Sequence, residues 1–320
     1  MPKISICMNT ARSDYPMMAL KDVHMFEYFM SGLRAQTFTD FEVIICDVLF
    51  DERHDYFEKH PESFHVKHVP IKPNIWTPRG YTAISTTKNT CLLYAEGQIV
   101  VFTDDCSTFK EDHLKNILET LTPEIGVSNK ILCYRGDNIT YKDLRPSGDT
   151  YNVWGNVALY LKTFLDVNGY NEQFDGSKGL EDCDFSYRVH NSGIKWHLLD
   201  YPVLYQSHAT NKNPFISLPN ALGPRCCRLA EVVSQARKDP RANSVPLTDE
   251  ELAVYTKCNE NEEGHICEIM HSKCRWNIVA TEEDKANVKL YQHPSLIFDL
   301  KEQRRNIYES ILELERLIND

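Results

Sequence analysis

The sequence predicts an α/β fold on a mixed, mostly parallel sheet flanked by helices, followed by a mainly helical C-terminal extension. Three observations carry this expectation. From the start to about residue 104, short β-branched runs alternate with longer segments whose apolar residues recur at three and four, the pattern of βαβ units. The apolar runs end in, or are followed by, polar residues. From about Asn211 the strand signal stops, and Pro214, Pro219, Pro224, Pro240 and Pro246 punctuate the chain.

Strands are expected at Lys3–Met8, Phe41–Asp47, Val66–Val69 and Gln98–Thr103, with helices filling the gaps. A helix over Leu20–Leu33 would place Leu20, Val23, Phe26, Met30 and Leu33 on one face. A second over Thr82–Ala95 would do the same with Ile84, Cys91 and Leu92 before Gly97 stops it. After Thr122-Pro123 the pattern becomes mixed: strands near Ile125–Cys133 and Val153–Tyr160, a short helix near Leu161–Val167, and a helix over Glu181–Asn191 with Gly193 where a C-cap glycine belongs. A boundary is placed near residue 210, dividing a domain of residues 1–210 from an extension of 211–320. The final stretch, Ser295–Asp320, reads as one helix with Leu300, Ile307, Ile311, Leu314 and Ile318 on a face, either a homodimer seam or a helix laid across the first domain. The sequence does not set the oligomeric state.

Composition narrows the function classes. The 320 residues are 42% hydrophobic, enough for a sizeable core, and 35 basic against 46 acidic residues leave a net charge of −11. Such a surface repels phosphate backbones, so a nucleic-acid partner is not expected. The longest aliphatic runs are strand-sized, far short of the roughly 20 residues of a membrane span. Met1-Pro2-Lys3 leads into Ile4–Met8 with neither a signal-length apolar region nor a small-residue cleavage site. The 11 cysteines are then expected as reduced thiols, and the expected location is the cytoplasm.

On such sheets, ligands bind outside the carboxyl ends of the strands. The residues found there are Asn9-Thr10, Asp47 and Asp104-Asp105. The adjacent carboxylates Asp104 and Asp105 offer hard oxygen ligands suited to Mg²⁺ or Mn²⁺; the same pair also suits a turn or a helix N-cap. Glu181, Asp182 and Asp184 cluster at a helix start, where the macrodipole favours ionised, proton-accepting carboxylates. Glu181 and Asp182 are therefore candidate general bases; the alternative is capping, with Asp184 and Arg188 as an i,i+4 surface pair. His208, just beyond a short apolar strand, is either a ligand or a satisfied polar residue.

The order of these segments is more specific than any one of them. Asn9-Thr10 after a strand, Phe41–Asp47, Lys88-Asn89 in a helix ending at Ala95-Glu96-Gly97, and Val101–Asp105 resemble the nucleotide-sugar half of the family 2 inverting glycosyltransferases, which have the Rossmann-like GT-A fold. Trp154-Gly155-Asn156, Gly169–Phe174, Gly179–Arg188, Gly193 and His208 resemble that family's acceptor-side segment. The resemblance spans residues 3 to 210. It implies a metal-dependent transfer of a sugar from a nucleoside-diphosphate sugar, by family habit a UDP-sugar, to an acceptor hydroxyl with inversion. Asn9, Thr10, Asp47 and Asp104 would contact the nucleotide, and Arg79 and Lys88 the diphosphate. Asp104, Asp105 and His208 would hold Mn²⁺ or Mg²⁺, and Asp182, with Glu181 beside it, would be the base.

The pattern departs from the family in three places. Val48-Leu49 follow Asp47 where a second acid is usual, Cys106 stands at the third position of the metal motif, and the Gln-x-x-Arg-Trp element of processive synthases is absent. The rival reading is a catalytically degenerate GT-A module that binds a sugar nucleotide or glycan. A nucleotidyltransferase would require a Gly-rich loop after the first strand, and Asn9–Ser13 contains no glycine. Protein, lipid-linked, saccharide and nucleobase acceptors all remain open, with Trp76, Tyr81, Tyr151 and Trp154 as either a sugar platform or core. Separately, Cys258, His265, Cys267, His271 and Cys274 form a Cys/His-rich segment 258–274, read as a structural Zn²⁺ site or as buried or free thiols.

Overall fold

The computed structural model describes residues 3–13, 19–20, 23–105, 107–135, 138–142, 146–147, 150–151, 156–176, 181–206, 238–246, 248, 290 and 293–320. Its strands are Ile4–Thr10 (β1), Ala19–Leu20 (β2), Val23–His24 (β3), Phe41–Asp47 (β4), His65–Pro70 (β5), Ile99–Asp104 (β6), Ser107–Thr108 (β7), Ile125–Arg135 (β8), Asn138–Lys142 (β9), Pro146–Ser147 (β10), Thr150–Tyr151 (β11), Asn156–Tyr160 (β12) and Lys195–Gln206 (β13). The helices are Met25–Arg34 (α1), Tyr56–Lys59 (α2), Ile84–Tyr94 (α3), His113–Thr120 (α4), Leu161–Asp166 (α5), Glu181–Asn191 (α6), Leu300–Arg305 (α7) and Ile307–Asn319 (α8). None is long and apolar enough to cross a membrane.

The chain divides into two units. The first comprises Met1–Ile71, Thr87–Asp166 and Ser192–Pro214, and the second Lys72–Thr86, Val167–Asn191 and Phe215–Asp320.

The first unit is built on a mixed sheet in the order β5-β4-β1-β6-β12-β8-β13-β7, with β9 paired to β8. β5, β4, β1 and β6 run parallel, and β12 turns antiparallel between β6 and β8. β1, β4 and β6 are apolar on successive residues because both of their faces are covered. One face carries Ile4, Ile6, Met8, Val43, Ile45, Ile99 and Val101, packed against Phe26, Phe29, Met30 and Leu33 of α1 and Leu114 and Ile117 of α4. Phe29 is fully buried there, and its truncation to alanine would cost about 3–5 kcal/mol.

Several expected boundaries move. The helix expected from Leu20 starts at Met25 instead, and Leu20 pairs with Val23 across a two-strand antiparallel ladder. A spacing of three serves a helix face and a short ladder equally, and local pairing took it. The strand expected at Val153–Tyr160 is described from Asn156 onward. The short strand before His208 is a twelve-residue strand, β13, lying parallel to β8. Gly193 has φ of 90°, as a helix-ending glycine should. Gly97 has another role: a Cβ there would lie 2.5 Å from the Ser5 nitrogen, so close passage along β1 requires the glycine.

In the second unit, Trp76, Tyr170, Phe174, Phe185, Val189, Leu296, Phe298 and Leu300 are buried, with the Tyr170 and Phe185 rings stacked at 4.4 Å. The single terminal helix expected over Ser295–Asp320 is a 3-10 turn, Pro294–Leu296, followed by α7 and α8. The break falls at Asn306, which leaves helical geometry and caps α8 by accepting from the Glu309 N–H. Asn168, at φ of 60°, donates to the Phe298 carbonyl and accepts from Leu300 N, which fixes the start of α7.

Candidate active site

In the first unit, three adjacent strands end together. Thr10 of β1 lies opposite Asp47 of β4, and Asn9 lies opposite both Cys46 and Asp104. Side chains alternate across a strand, so Asn9 and Asp104 share one face and Thr10 and Asp47 the other. Asn9 and Asp104 are partly exposed, whereas Thr10, Asp47 and Asp105 are buried. The Thr10 hydroxyl donates to Asp105 Oδ2 at 3.2 Å and so fixes the second carboxylate against β1.

Asp47 is held from three directions. Arg53 grips it with Nε to Oδ2 at 2.5 Å and Nη2 to Oδ1 at 2.8 Å, His68 Nε2 lies 3.0 Å from Oδ2, and Leu49 N donates at 2.9 Å. Burial alone would raise this carboxyl, but the bonds from Arg53 and His68 outweigh it and hold it below the usual range. Arg53 also donates to the Arg12 carbonyl at 2.9 Å, which ties the turn after β1 to the end of β4. Arg12, Arg53 and His68 were not among the expected site residues. Only the β4–β5 register, Ile45 beside His68, places the histidine on the face of Asp47.

α3 is buried almost all round, with Ser85, Thr86, Thr87, Asn89 and Thr90 as well as Cys91 and Leu92 removed from water. Lys88 is a half-exposed position on it.

In the second unit, α6 begins with its three acids in different settings. Asp184 is fully buried and pairs with Arg188 at 2.8 Å, while Arg188 also donates to the Val167 and Gly169 carbonyls. The expected i,i+4 pair thus forms, but inside the protein rather than on its surface, because these loop carbonyls need a buried donor. Glu181 is 7% exposed, and Asp182 is half-buried with Oδ1 accepting from Cys183 N at 2.8 Å. Asp182 is therefore the most accessible of the three, at a helix start that favours its ionised form.

The same unit contains Arg79, exposed at the end of the 3-10 turn Thr77–Arg79 and bonded to the Ile75 carbonyl. Trp76 is wholly buried, so it belongs to the core and not to a sugar platform; Tyr81 is half-buried, its ring edge-on to Trp76. Nearby, Lys72 and Glu172 form a buried ion pair at 2.6 Å. Burial and the Glu172 charge push the Asp175 carboxyl up to about 8, against the pull of donors from Thr86 and Ser85.

Comparison with known proteins bears on this arrangement. Residues 138–210, under a quarter of the chain, match a family model described as the N-terminal domain of galactosyltransferase. The sequence matches no curated protein. Among solved structures, S. aureus TarS 1-349 in complex with UDP-GlcNAc superposes with a TM-score of 0.55 at 16% identity, covering 99% of this chain and 90% of that one. S. aureus TarS 1-349 without a named ligand gives 0.52 at 17% identity with the same coverage, and S. aureus TarS 0.53 at 15%, covering 98% and 55%.

The fold is the GT-A glycosyltransferase fold. Asn9, Thr10, Asp47 and Asp104 stand together at the carboxyl edge of this sheet. His208, Cys106, Trp154 and the segment 258–274 lie outside the described residues, as does the side chain of Tyr151. Among the described residues no group of three or more His, Cys, Asp or Glu is arranged to hold a metal ion. Asp104 and Asp105 nevertheless supply two adjacent carboxylates at a strand end, a donor set of the hard-oxygen kind that Mg²⁺ and Mn²⁺ take.

Proposed function

We propose that the chain is a metal-dependent, inverting glycosyltransferase that moves a sugar from a UDP-sugar to an acceptor hydroxyl, with residues 1–210 as catalytic domain and 211–320 as its extension. The observation that carries this reading is the convergence of Asn9, Thr10, Asp47 and Asp104-Asp105 at one carboxyl edge of a GT-A sheet, with Thr10 bonded to Asp105. The UDP and UDP-GlcNAc bound by the S. aureus relatives support the choice of nucleotide.

In this reading Asn9 and Thr10 approach the nucleotide, and Asp47 acts on it through Arg53, which it orients. Lys88 and Arg79 are the cations assigned to the diphosphate. Asp104 and Asp105 are the residues that would hold Mn²⁺ or Mg²⁺, and His208, outside the described residues, would be the further ligand. When bound, such an ion neutralises the diphosphate and stabilises the charge that builds as it leaves. Asp182 takes the proton from the acceptor hydroxyl, the oxygen attacks the anomeric carbon, and the nucleoside diphosphate departs from the opposite face. One displacement inverts the configuration and needs no covalent enzyme intermediate. A cytoplasmic location belongs to the same reading.

A thermal-shift series with UDP, GDP, CDP and TDP, each with Mn²⁺ or with chelator, tests this reading, because a ligand of the folded state raises the melting temperature. A shift for UDP that requires Mn²⁺ is expected. No shift with any nucleotide would turn the reading to the degenerate glycan-binding module. Proton NMR of the anomeric product then reads inversion directly.

A further inference from the structure

We propose that Asp175 is a positioning residue for transfer, clamping the first turn of α3, the helix that carries Lys88, to the segment that leads into α6 and its Asp182. This inference rests on the functional reading above. Asp175 is 1% exposed and receives three donors from a segment ninety residues away: Ser85 N to Oδ1 at 2.6 Å, Thr86 N to Oδ2 at 2.9 Å and Thr86 Oγ1 to Oδ2 at 2.5 Å. The Ser85 and Thr86 N–H groups are among those an α-helix leaves unsatisfied at its start, and the buried Asp175 carboxyl group accepts from both.

The neighbouring contacts make the junction a clasp rather than a single bond. Gly176 N donates to the Thr82 carbonyl at 2.7 Å. Gly176 has φ of 79°, and a Cβ there would lie 2.4 Å from the Trp76 ring, so only glycine allows this approach. Asn171 caps the turn Glu172–Phe174 through Gln173 N. Glu172 reaches Lys72, whose Nζ donates onward to Gln303 Oε1 at 3.0 Å and sits 4.6 Å from the centre of the Phe298 ring.

A helix needing only a cap could take it from a local serine, threonine or asparagine at about 1 kcal/mol, without burying a carboxyl group from a distant segment. The carboxyl group of Asp175 does something a local cap cannot. It fixes the start of α3 against the stretch that ends six residues before Glu181. A bond that holds two functional segments in register affects the rate through geometry, and misplacement of about 1 Å costs on the order of a hundredfold.

The test uses the full chain with Asp175→Asn, Thr86→Val and Thr86→Ser. In amide hydrogen exchange, Asp175→Asn is expected to accelerate exchange both at residues 84–88 and at residues 181–184. Acceleration confined to 84–88 would show a cap and no coupling, and would overturn the proposal. In turnover, read as UDP release from UDP-GlcNAc and from UDP-galactose with Mn²⁺, Asp175→Asn is expected to lower kcat by about tenfold or more, with donor KM moved by less than about threefold. A wild-type kcat in this variant would also overturn it. If Asp175→Asn does not fold, Thr86→Val, which removes one of the three bonds, is expected to lose part of the rate and Thr86→Ser to restore it; equal rates in the two would sink the clasp. Failure of the wild-type protein to release UDP from either sugar would count against the transferase reading, and the exchange result would still decide the clasp.

Discussion

The ammonium of Lys72 and the carboxylate of Glu172 lie 2.6 Å apart with only 1% and 4% of their side chains exposed. A buried pair of this kind is costly to break from one side, because the remaining charge loses its counter-ion where little water can replace it. Lys72→Met is expected to destabilise the protein by about 3–5 kcal/mol, while Lys72→Met with Glu172→Leu recovers much of that loss. Urea unfolding of the single and double variants checks the non-additivity.

Asp182 is expected to act on the acceptor and not on the donor. Asp182→Asn should abolish transfer and leave UDP affinity nearly unchanged, since the amide keeps the shape and loses the basicity. Isothermal titration with UDP and Mn²⁺ beside a turnover assay separates the two; an equal loss of UDP affinity would reassign the residue.

Asp105 and Asp47 should fail in different ways. Asp105→Ala removes a carboxylate from the strand end and is expected to weaken Mn²⁺-dependent UDP binding by tenfold or more, on the order of 1.4 kcal/mol. Asp47→Ala leaves the Arg53 guanidinium without its buried partner, and is expected to lower the melting temperature more than Asp105→Ala does. Melting curves with and without UDP and Mn²⁺ give both quantities.

His113 should make the protein acid-sensitive well above the carboxylate range. It is fully buried, stacked on Phe109 at 4.7 Å, with Nε2 3.1 Å from Asn156 Nδ2. Burial drives its pKa down from 6.5 to about 3. The unfolded chain therefore takes up a proton below pH 6.5 that the folded protein refuses until about pH 3, so stability falls as pH drops through that window, by at most about 1.4 kcal/mol per unit. Asp47, whose folded pKa is depressed, adds its loss at lower pH, below its ordinary value of 3.8. Unfolding midpoints of His113→Gln should show a flatter dependence between pH 6.5 and 4 than the wild type.

The parts that were legible in the sequence are those where a residue's own neighbours decide its state. β1, β4 and β6 read as strands because both faces are buried, which forces an unbroken apolar run and leaves the first polar residues, Asn9-Thr10, Asp47 and Asp104, as the strand ends. The first turn of α6 and the glycine that ends it were visible for the same local reason. Leu20 and Val23 misled because a spacing of three does not distinguish a helix face from a two-residue ladder, and Asn306 because an asparagine inside a good heptad pattern carries no mark of a break.

By itself, then, the sequence determined the α/β class, the carboxyl ends of the central strands and the acids that stand at strand and helix ends, since periodicity and chain order encode these. Tertiary structure alone decided that Asp47 faces Arg53 and His68, that the Asp184–Arg188 pair is buried, that Gly97 serves close packing, and that Asp175 holds the start of α3. Each of these depends on which distant segments arrive at one place. A hydrogen bond between residues ninety positions apart leaves no local pattern, because its energy depends on the fold that brings the partners together and not on the residues between them.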